Sequence, residues 1–278
     1  MNTANYSTIK ELIDKYEFSI KKKFGQNFLI DQNMVDKIVK GSGVTKDDVV
    51  IEVGPGLGSM TMTLAQHCAK VICIEIDDTV IPILKEIVPD NVEIVHADVL
   101  KLDIESLIAP YSQNVHVVAN LPYYIAAPII TRFMETKVKS LTMMMQKEVA
   151  DRMRANPKTK DYGSLTIFVN YHAQVSLVTN VARTCFLPKP NVDSTVLNLK
   201  LEKKYHPQNE ELFLKLIRAA FSQRRKTMIN SLEKEMNLDK KQMAELLNEI
   251  GISEKARAEE LSIEDYVKLA DIINVKLF

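Results

Sequence analysis

Cysteine is sparse and unpaired in this chain. Cys68, Cys73 and Cys185 are odd in number, and none stands in a C-x-x-C pair. Neither a disulfide framework nor a thiolate metal site is therefore expected. The five histidines show no metal-ligand spacing either, so no metal is expected. No apolar run approaches the ~18 residues that a membrane-spanning helix requires. The polar opening MNTANYSTIKELIDKY also lacks the apolar core of a secretion signal. A cytoplasmic chain without membrane contact is expected. An excess of either charge is missing too, because 36 basic side chains balance 36 acidic ones. A protein held to nucleic acid by its global field carries a basic excess, so any such contact here must use a local patch.

What is present suits a folded α/β protein. The chain has 278 residues, 46% hydrophobic and 26% charged, enough for one large or two small domains. Four short β-branched runs, Val49–Val53, Val71–Glu75, Val92–Val95 and Val115–Ala119, have the length of buried parallel strands. Each precedes a segment with helical spacing or helix-start signals. Ahead of the first run, Val35, Ile38 and Val39 mark an apolar helical face, with Asp31 as its N-cap. Ser140–Met145 suits a fifth strand, and stretches near Val175–Val181 and Val196–Leu201 suit two more. Such alternation implies a doubly wound sheet that receives ligands at the carboxyl ends of its strands.

Strand signals end at about residue 203. Beyond it, Leu212, Leu216, Ala219 and Ala220 mark one helical face. Met243, Leu246, Leu247 and Ile250 mark a second, and Ile263, Val267, Ala270 and Ile273 a third. The expected division is an α/β sheet domain over 1–203 and a small all-α domain over 204–278, joined through Tyr205–Asn209.

Glycine is scarce, and three of the eight residues crowd into Val49-Val-Ile-Glu-Val-Gly-Pro-Gly-Leu-Gly58. The run reads as a strand entering a glycine turn, where positive φ and a bare backbone let a ligand approach closely. A dinucleotide fingerprint would place its third small residue at position 59. Here that residue is Ser59 and the third glycine is Gly58, which leaves little room for a pyrophosphate. Glu75 closes the second strand, 21 residues after Gly54, and can accept both hydroxyls of a ribose. Asp98 follows the third strand and can accept from an adenine amino group. Either acid alone is equally compatible with a solvated loop or cap. The glycine turn with both acids points to a nucleoside cofactor.

Asn120-Leu-Pro-Tyr123 follows the fourth strand, where such a sheet presents its ligands. The residue types suit methylation of an exocyclic amine, whose lone pair is delocalised into its ring. The Asn120 side-chain oxygen and the Leu121 carbonyl can accept both N–H groups, Pro122 stiffens the turn, and Tyr123 offers a face for the base. A strand-end turn with a buried tyrosine would read the same way. Phe186, in a proline-stiffened loop, can oppose Tyr123 and clamp an unstacked base, or it can simply be core.

Over nearly its whole length the chain resembles the small-subunit ribosomal RNA adenine N6,N6-dimethyltransferases. The resemblance rests on Lys23-Phe-Gly-Gln-Asn-Phe-Leu-Ile-Asp31, Glu52-Val-Gly-Pro-Gly-Leu-Gly58, Glu75, Asp98 and Asn120-Leu-Pro-Tyr-Tyr124. Met145-Gln-Lys-Glu-Val-Ala-Asp-Arg152, Phe186-Leu-Pro-Lys-Pro and Phe221-Ser-Gln-Arg-Arg-Lys226 complete it. It implies a Rossmann-like class I methyltransferase sheet with helices on both faces, plus a small all-α C-terminal domain. It further implies S-adenosylmethionine as donor and two adjacent adenines near the 3′ end of 16S rRNA as targets, within the small subunit or its precursor. By the same resemblance Asn27, Leu29, Gly54, Gly56, Glu75, Asp98 and Asn120 contact the donor, with Asn27 on an N-terminal segment that closes over it. Asn120, Leu121, Tyr123 and Phe186 surround the target adenine. The first ~15 residues match nothing in the family pattern.

Lys215, Arg218, Arg224, Arg225 and Lys226 occur in a twelve-residue window without an acid, Lys21–Lys23 form a second cluster, and Lys147, Arg152, Arg154, Lys158 and Lys160 a third. Such runs are usually solvated faces. Flanking the site in sequence, they supply candidate RNA contacts in Lys22, Lys23, Arg152, Arg224, Arg225 and Lys226. Nothing in the sequence demands more than a monomer. Two alternatives are a large-subunit rRNA adenine methyltransferase of the macrolide-resistance type and a ribosome-assembly factor with secondary methylation.

Overall fold

The computed structural model of the chain describes residues 3–21, 25–111, 114–122, 124–223, 225–236 and 238–277. In chain order the first part contains α1 (Tyr6–Lys15), β1 (Phe28–Leu29), α2 (Gln32–Ser42), β2 (Val49–Val53), α3 (Thr61–His67), β3 (Lys70–Glu75), α4 (Ile81–Ile87), β4 (Val92–His96), α5 (Ile104–Ile108), β5 (Val115–Asn120) and α6 (Ala126–Met134). Then follow β6 (Ser140–Gln146), α7 (Lys147–Met153), α8 (Ser164–His172), β7 (Ala173–Val181), β8 (Phe186–Leu187) and β9 (Ser194–Leu201). The remainder is helical: α9 (Glu210–Phe221), α10 (Met228–Met236), α11 (Lys240–Glu249) and α12 (Ile263–Leu277).

Seven strands form a Rossmann-like sheet in the order β4-β3-β2-β5-β6-β9-β7, with β4 to β6 in parallel and β9 antiparallel to β6. Period-two alternation sorts the β-branched runs between two buried faces. Val50, Val71, Cys73, Val118, Met144 and Val196 pack in one cluster with Val35, Ile38, Val39 of α2 and Leu64 of α3. The intervening Ile51, Ile72, Val117, Leu141 and Met143 are also buried, and so occupy the opposite face. Asp31 caps α2 as expected, accepting from the Met34 N–H at 3.1 Å, and Gly43 ends that helix at φ 71°. No helix among the described residues is long and apolar enough to cross a membrane.

The chain lays down β2 first, runs outward to β4, then returns beside β2 as β5. Brought together this way, the carboxyl ends of β2 and β5 diverge into opposite-going connections. That is the crevice where an open parallel sheet binds ligands.

Two compact units are present, and their boundary departs from the expected one. The first comprises 1–150 and 175–201, the second 151–174 and 202–278. Residues 151–174 were expected in the sheet domain. Instead Tyr162, Ile167 and Tyr171 join the core of the helical unit with Leu212, Phe213, Leu216, Met243, Leu247 and Ile273. The Tyr162 hydroxyl donates to the Leu261 carbonyl at 2.8 Å, fixing the excursion there. An apolar helical face in sequence shows that a helix needs a partner, not which core supplies it.

The N-terminal residues outside the family pattern also have a place. Asn5 caps α1 by accepting from the Thr8 N–H. Ile9 and Leu12 pack with Leu57, Val80, Ile83 and Leu84 beneath the glycine turn. Thr3 donates to the Gly58 carbonyl at 2.8 Å, and Ser59 donates to the Thr3 carbonyl at 3.1 Å. Ile9 is fully buried, so Ile9→Ala is expected to cost roughly 2–5 kcal/mol. Reversible urea unfolding should read this as a lower midpoint with an unchanged slope.

Candidate active site

The glycine turn leaves β2 under a short leash. Gly54 adopts φ 68° and donates its N–H to the Ile74 carbonyl of β3 at 2.9 Å. A Cβ built there would meet no atom within 4 Å, so bare backbone faces open space. Gly56, at φ 54°, is restricted differently, since a Cβ would come within 2.9 Å of the Phe28 ring. Both positions require glycine, one for access and one for fit. Together with the ends of β3 and β5 they form a cleft of about 1220 Å³ including its open mouth.

Glu75 ends β3 at the cleft wall, 6% exposed. Its Oε1 accepts the N–H groups of Ile76 and Asp77, both at 2.9 Å, and its Oε2 accepts the Gly56 N–H at 3.3 Å. Burial raises its pKa while those backbone donors oppose the rise. Asp98, after β4, accepts the Leu100 N–H at 3.0 Å and stays 3.8 Å from the Lys101 ammonium. Exposed Ile76 and buried Val99, each next in sequence to one of the acids, add apolar surface to the cleft. That surface fits the flat face of a purine. No sequence signal marked these two, because a single apolar residue after a strand resembles any other.

Glu52 also lines the cleft and is the most desolvated acid of the site. Burial pushes its pKa up to about 7, against bonds from the Thr61 hydroxyl at 2.6 Å and the Cys73 thiol at 3.6 Å. It stands inside the glycine motif, where nothing in the residue pattern distinguishes it from its neighbours.

The opposite wall is the N-terminal segment Gly25–Leu29. Asn27 donates its side-chain amide to the Gly25 carbonyl at 2.9 Å, and its own carbonyl accepts the Asn120 side-chain Nδ2 at 3.0 Å. With Nδ2 so engaged, Oδ1 of Asn120 is left as an acceptor. Leu121 is 1% exposed and tied by its N–H to the Met144 carbonyl at 3.2 Å. Beside them Pro122 and the exposed Tyr124 complete the rim.

Asn27, Leu29, Gly54, Gly56, Glu75, Asp98, Asn120 and Leu121 therefore line one cleft. Phe186 does not. Expected to face the target base, it pairs with Leu29 across β1 and β8 and is 3% exposed in the cluster beneath that wall. Its apolar ring gains more from that packing than from an open rim. Of the proposed RNA contacts, Arg152, Arg225 and Lys226 are exposed and belong to the helical unit. Tyr123, Lys22, Lys23 and Arg224 lie outside the described residues.

The Glu52 shift has a consequence for stability. The folded state holds the Glu52 proton up to about pH 7, whereas the unfolded chain releases it near 4.5. Stability is thus greatest below pH 4.5 for this group and falls as pH rises through that window, by roughly 3 kcal/mol in all. Glu52→Gln should flatten this part of the pH profile. Unfolding free energies of both proteins at pH 5 and pH 8 test it, and parallel slopes would refute it.

The cleft thus has a bare glycine floor, carboxylates after the second and third sheet strands and an oriented Asn-Leu-Pro turn. The curated protein named ribosomal RNA small subunit methyltransferase A of Clostridioides difficile is 46% identical, covering 99% of this chain and 98% of its own length. One of the same name from Alkaliphilus oremlandii is 48% identical, with 96% of each covered. The crystal structure of a dimethyladenosine transferase from Plasmodium falciparum matches with TM-score 0.76 at 29% identity, over 88% of this chain and 97% of that one. The profile of the ribosomal RNA adenine dimethylases matches residues 17–275, and the chain belongs to that family of methyltransferases.

Proposed function

We propose that the chain dimethylates N6 of two adjacent adenines near the 3′ end of 16S rRNA, in the small ribosomal subunit or its precursor. S-adenosylmethionine, when bound, supplies an electrophilic methyl group on a sulfonium. The observation that carries this reading is the Asn120 amide, held by the Asn27 carbonyl with its oxygen left to accept. An adenine amine in the cleft would donate one N–H to Asn120 Oδ1 and the other to the Leu121 carbonyl. Two acceptors favour a pyramidal nitrogen with its lone pair out of ring conjugation. Positive charge develops on that nitrogen during transfer, and fixed carbonyl dipoles stabilise it without reorganisation. No step requires a general base, since the proton leaves to solvent after transfer.

The remaining side chains divide between binding and placement. Glu75 accepts the ribose hydroxyls of the donor, Asp98 its adenine amino group, and Gly54 and Gly56 allow close approach. Asn27 and Leu29 close the donor side. Tyr123 offers a face to the flipped base. Arg152, Arg225 and Lys226, with Lys22, Lys23 and Arg224, contact phosphates. The enzyme acts as a cytoplasmic monomer without a metal.

The test is methyl transfer from labelled S-adenosylmethionine to small subunits lacking the modification, followed by nucleoside analysis of the rRNA. Label in N6,N6-dimethyladenosine is expected, falling by about 10²–10³ in rate for Asn120→Ala. Calorimetry should show a clear loss of donor affinity in Glu75→Ala. No label in the small subunits while separately supplied large-subunit rRNA is labelled, or equal donor affinity in Glu75→Ala, would overturn the respective assignment.

A further inference from the structure

We propose that Asp77 is a positioning residue for methyl transfer, clasping the N-terminal segment that orients the Asn120 amide. Asp77 lies just beyond β3 and is 1% exposed. Its Oδ1 accepts from the Lys21 ammonium at 2.6 Å, and its Oδ2 accepts from the Gln26 side-chain amide at 2.8 Å. Gln26 closes the ring, because its Oε1 accepts the Lys21 backbone N–H at 2.8 Å. Lys21 and Gln26 are thereby tied to each other and to one buried carboxylate.

Physical chemistry makes this a strong clamp. Burial pushes the Asp77 carboxyl up, but the bonds from Lys21, Thr79 and Gln26 hold it below the usual carboxylate range, so it stays ionised. A buried carboxylate without its cation is costly, which favours the arrangement that brings Lys21 to it. Asn27 follows Gln26 directly, and its carbonyl is the acceptor for Asn120 Nδ2. On the other side, the Asp77 backbone N–H donates to Glu75 Oε1 at 2.9 Å. Asp77 thus joins the carboxylate assigned to the donor to the amide assigned to the target. None of its own atoms lines the cleft, so it acts through Gln26, Asn27 and Asn120.

The inference rests on the role given to Asn120 above. In Asp77→Asn, small-subunit methylation should fall about 10–100-fold in kcat, the scale of a small misplacement at a reacting centre. Amide hydrogen exchange across residues 25–30 should accelerate, a readout independent of turnover. The double variant Asp77→Asn, Asn120→Ala should be no slower than Asn120→Ala alone, because the clasp acts through that side chain. Wild-type kcat in Asp77→Asn, or losses that multiply in the double variant, would overturn the proposal. Absence of methylation by the wild-type chain would sink the functional reading instead, and the positioning role with it.

Discussion

Three acids are buried at the carboxyl ends of two neighbouring strands, and the site is organised by how each is satisfied. Glu52 keeps a proton to about pH 7, with the Thr61 hydroxyl and the Cys73 thiol beside it. Glu75 is satisfied by backbone N–H groups from the glycine turn and from its own strand end. Asp77 keeps its charge through Lys21 and Gln26, brought from more than fifty residues away. Hydrogen, backbone dipole and distant cation are three solutions to one desolvation problem. The third gives the N-terminal segment its reason to lie over the cleft.

The consequence is that both walls of the cleft share one network. Glycines of the turn shape the floor and donate to Glu75, whose neighbour Asp77 anchors the segment bearing Asn27. Asn27 in turn fixes the Asn120 amide at the end of β5. Residues 3–12 buttress the same turn from beneath, through Thr3 on Gly58 and Ile9 against Leu57. Rigid backing of this kind suits a reaction in which preorganised dipoles, not a titrating base, lower the barrier.

Much of this was legible in the sequence because it repeats at fixed periods. The runs at Val49, Val71, Val92 and Val115 became parallel strands, with ends moved by a residue at most. The faces at Leu212, Leu216, Met243 and Ile273 became the helical core. Phe186 was harder, since an aromatic in a proline-rich loop can serve a rim or a core, and pairing with Leu29 decided for the core. Asp77 carried no signal, because a buried acid and a solvated one look alike until its cation is placed.

Local chemistry determined the strands, the glycine turn, the acids that follow the strands and the Asn-Leu-Pro turn. Each depends on neighbours within a few positions, so the sequence alone specifies them. Only the tertiary structure decided that 151–174 packs with the helical unit, that the first residues support the turn, and that Lys21 and Gln26 reach Asp77. Those outcomes depend on which distant surface completes a buried face or neutralises a buried charge, and period and motif do not encode it.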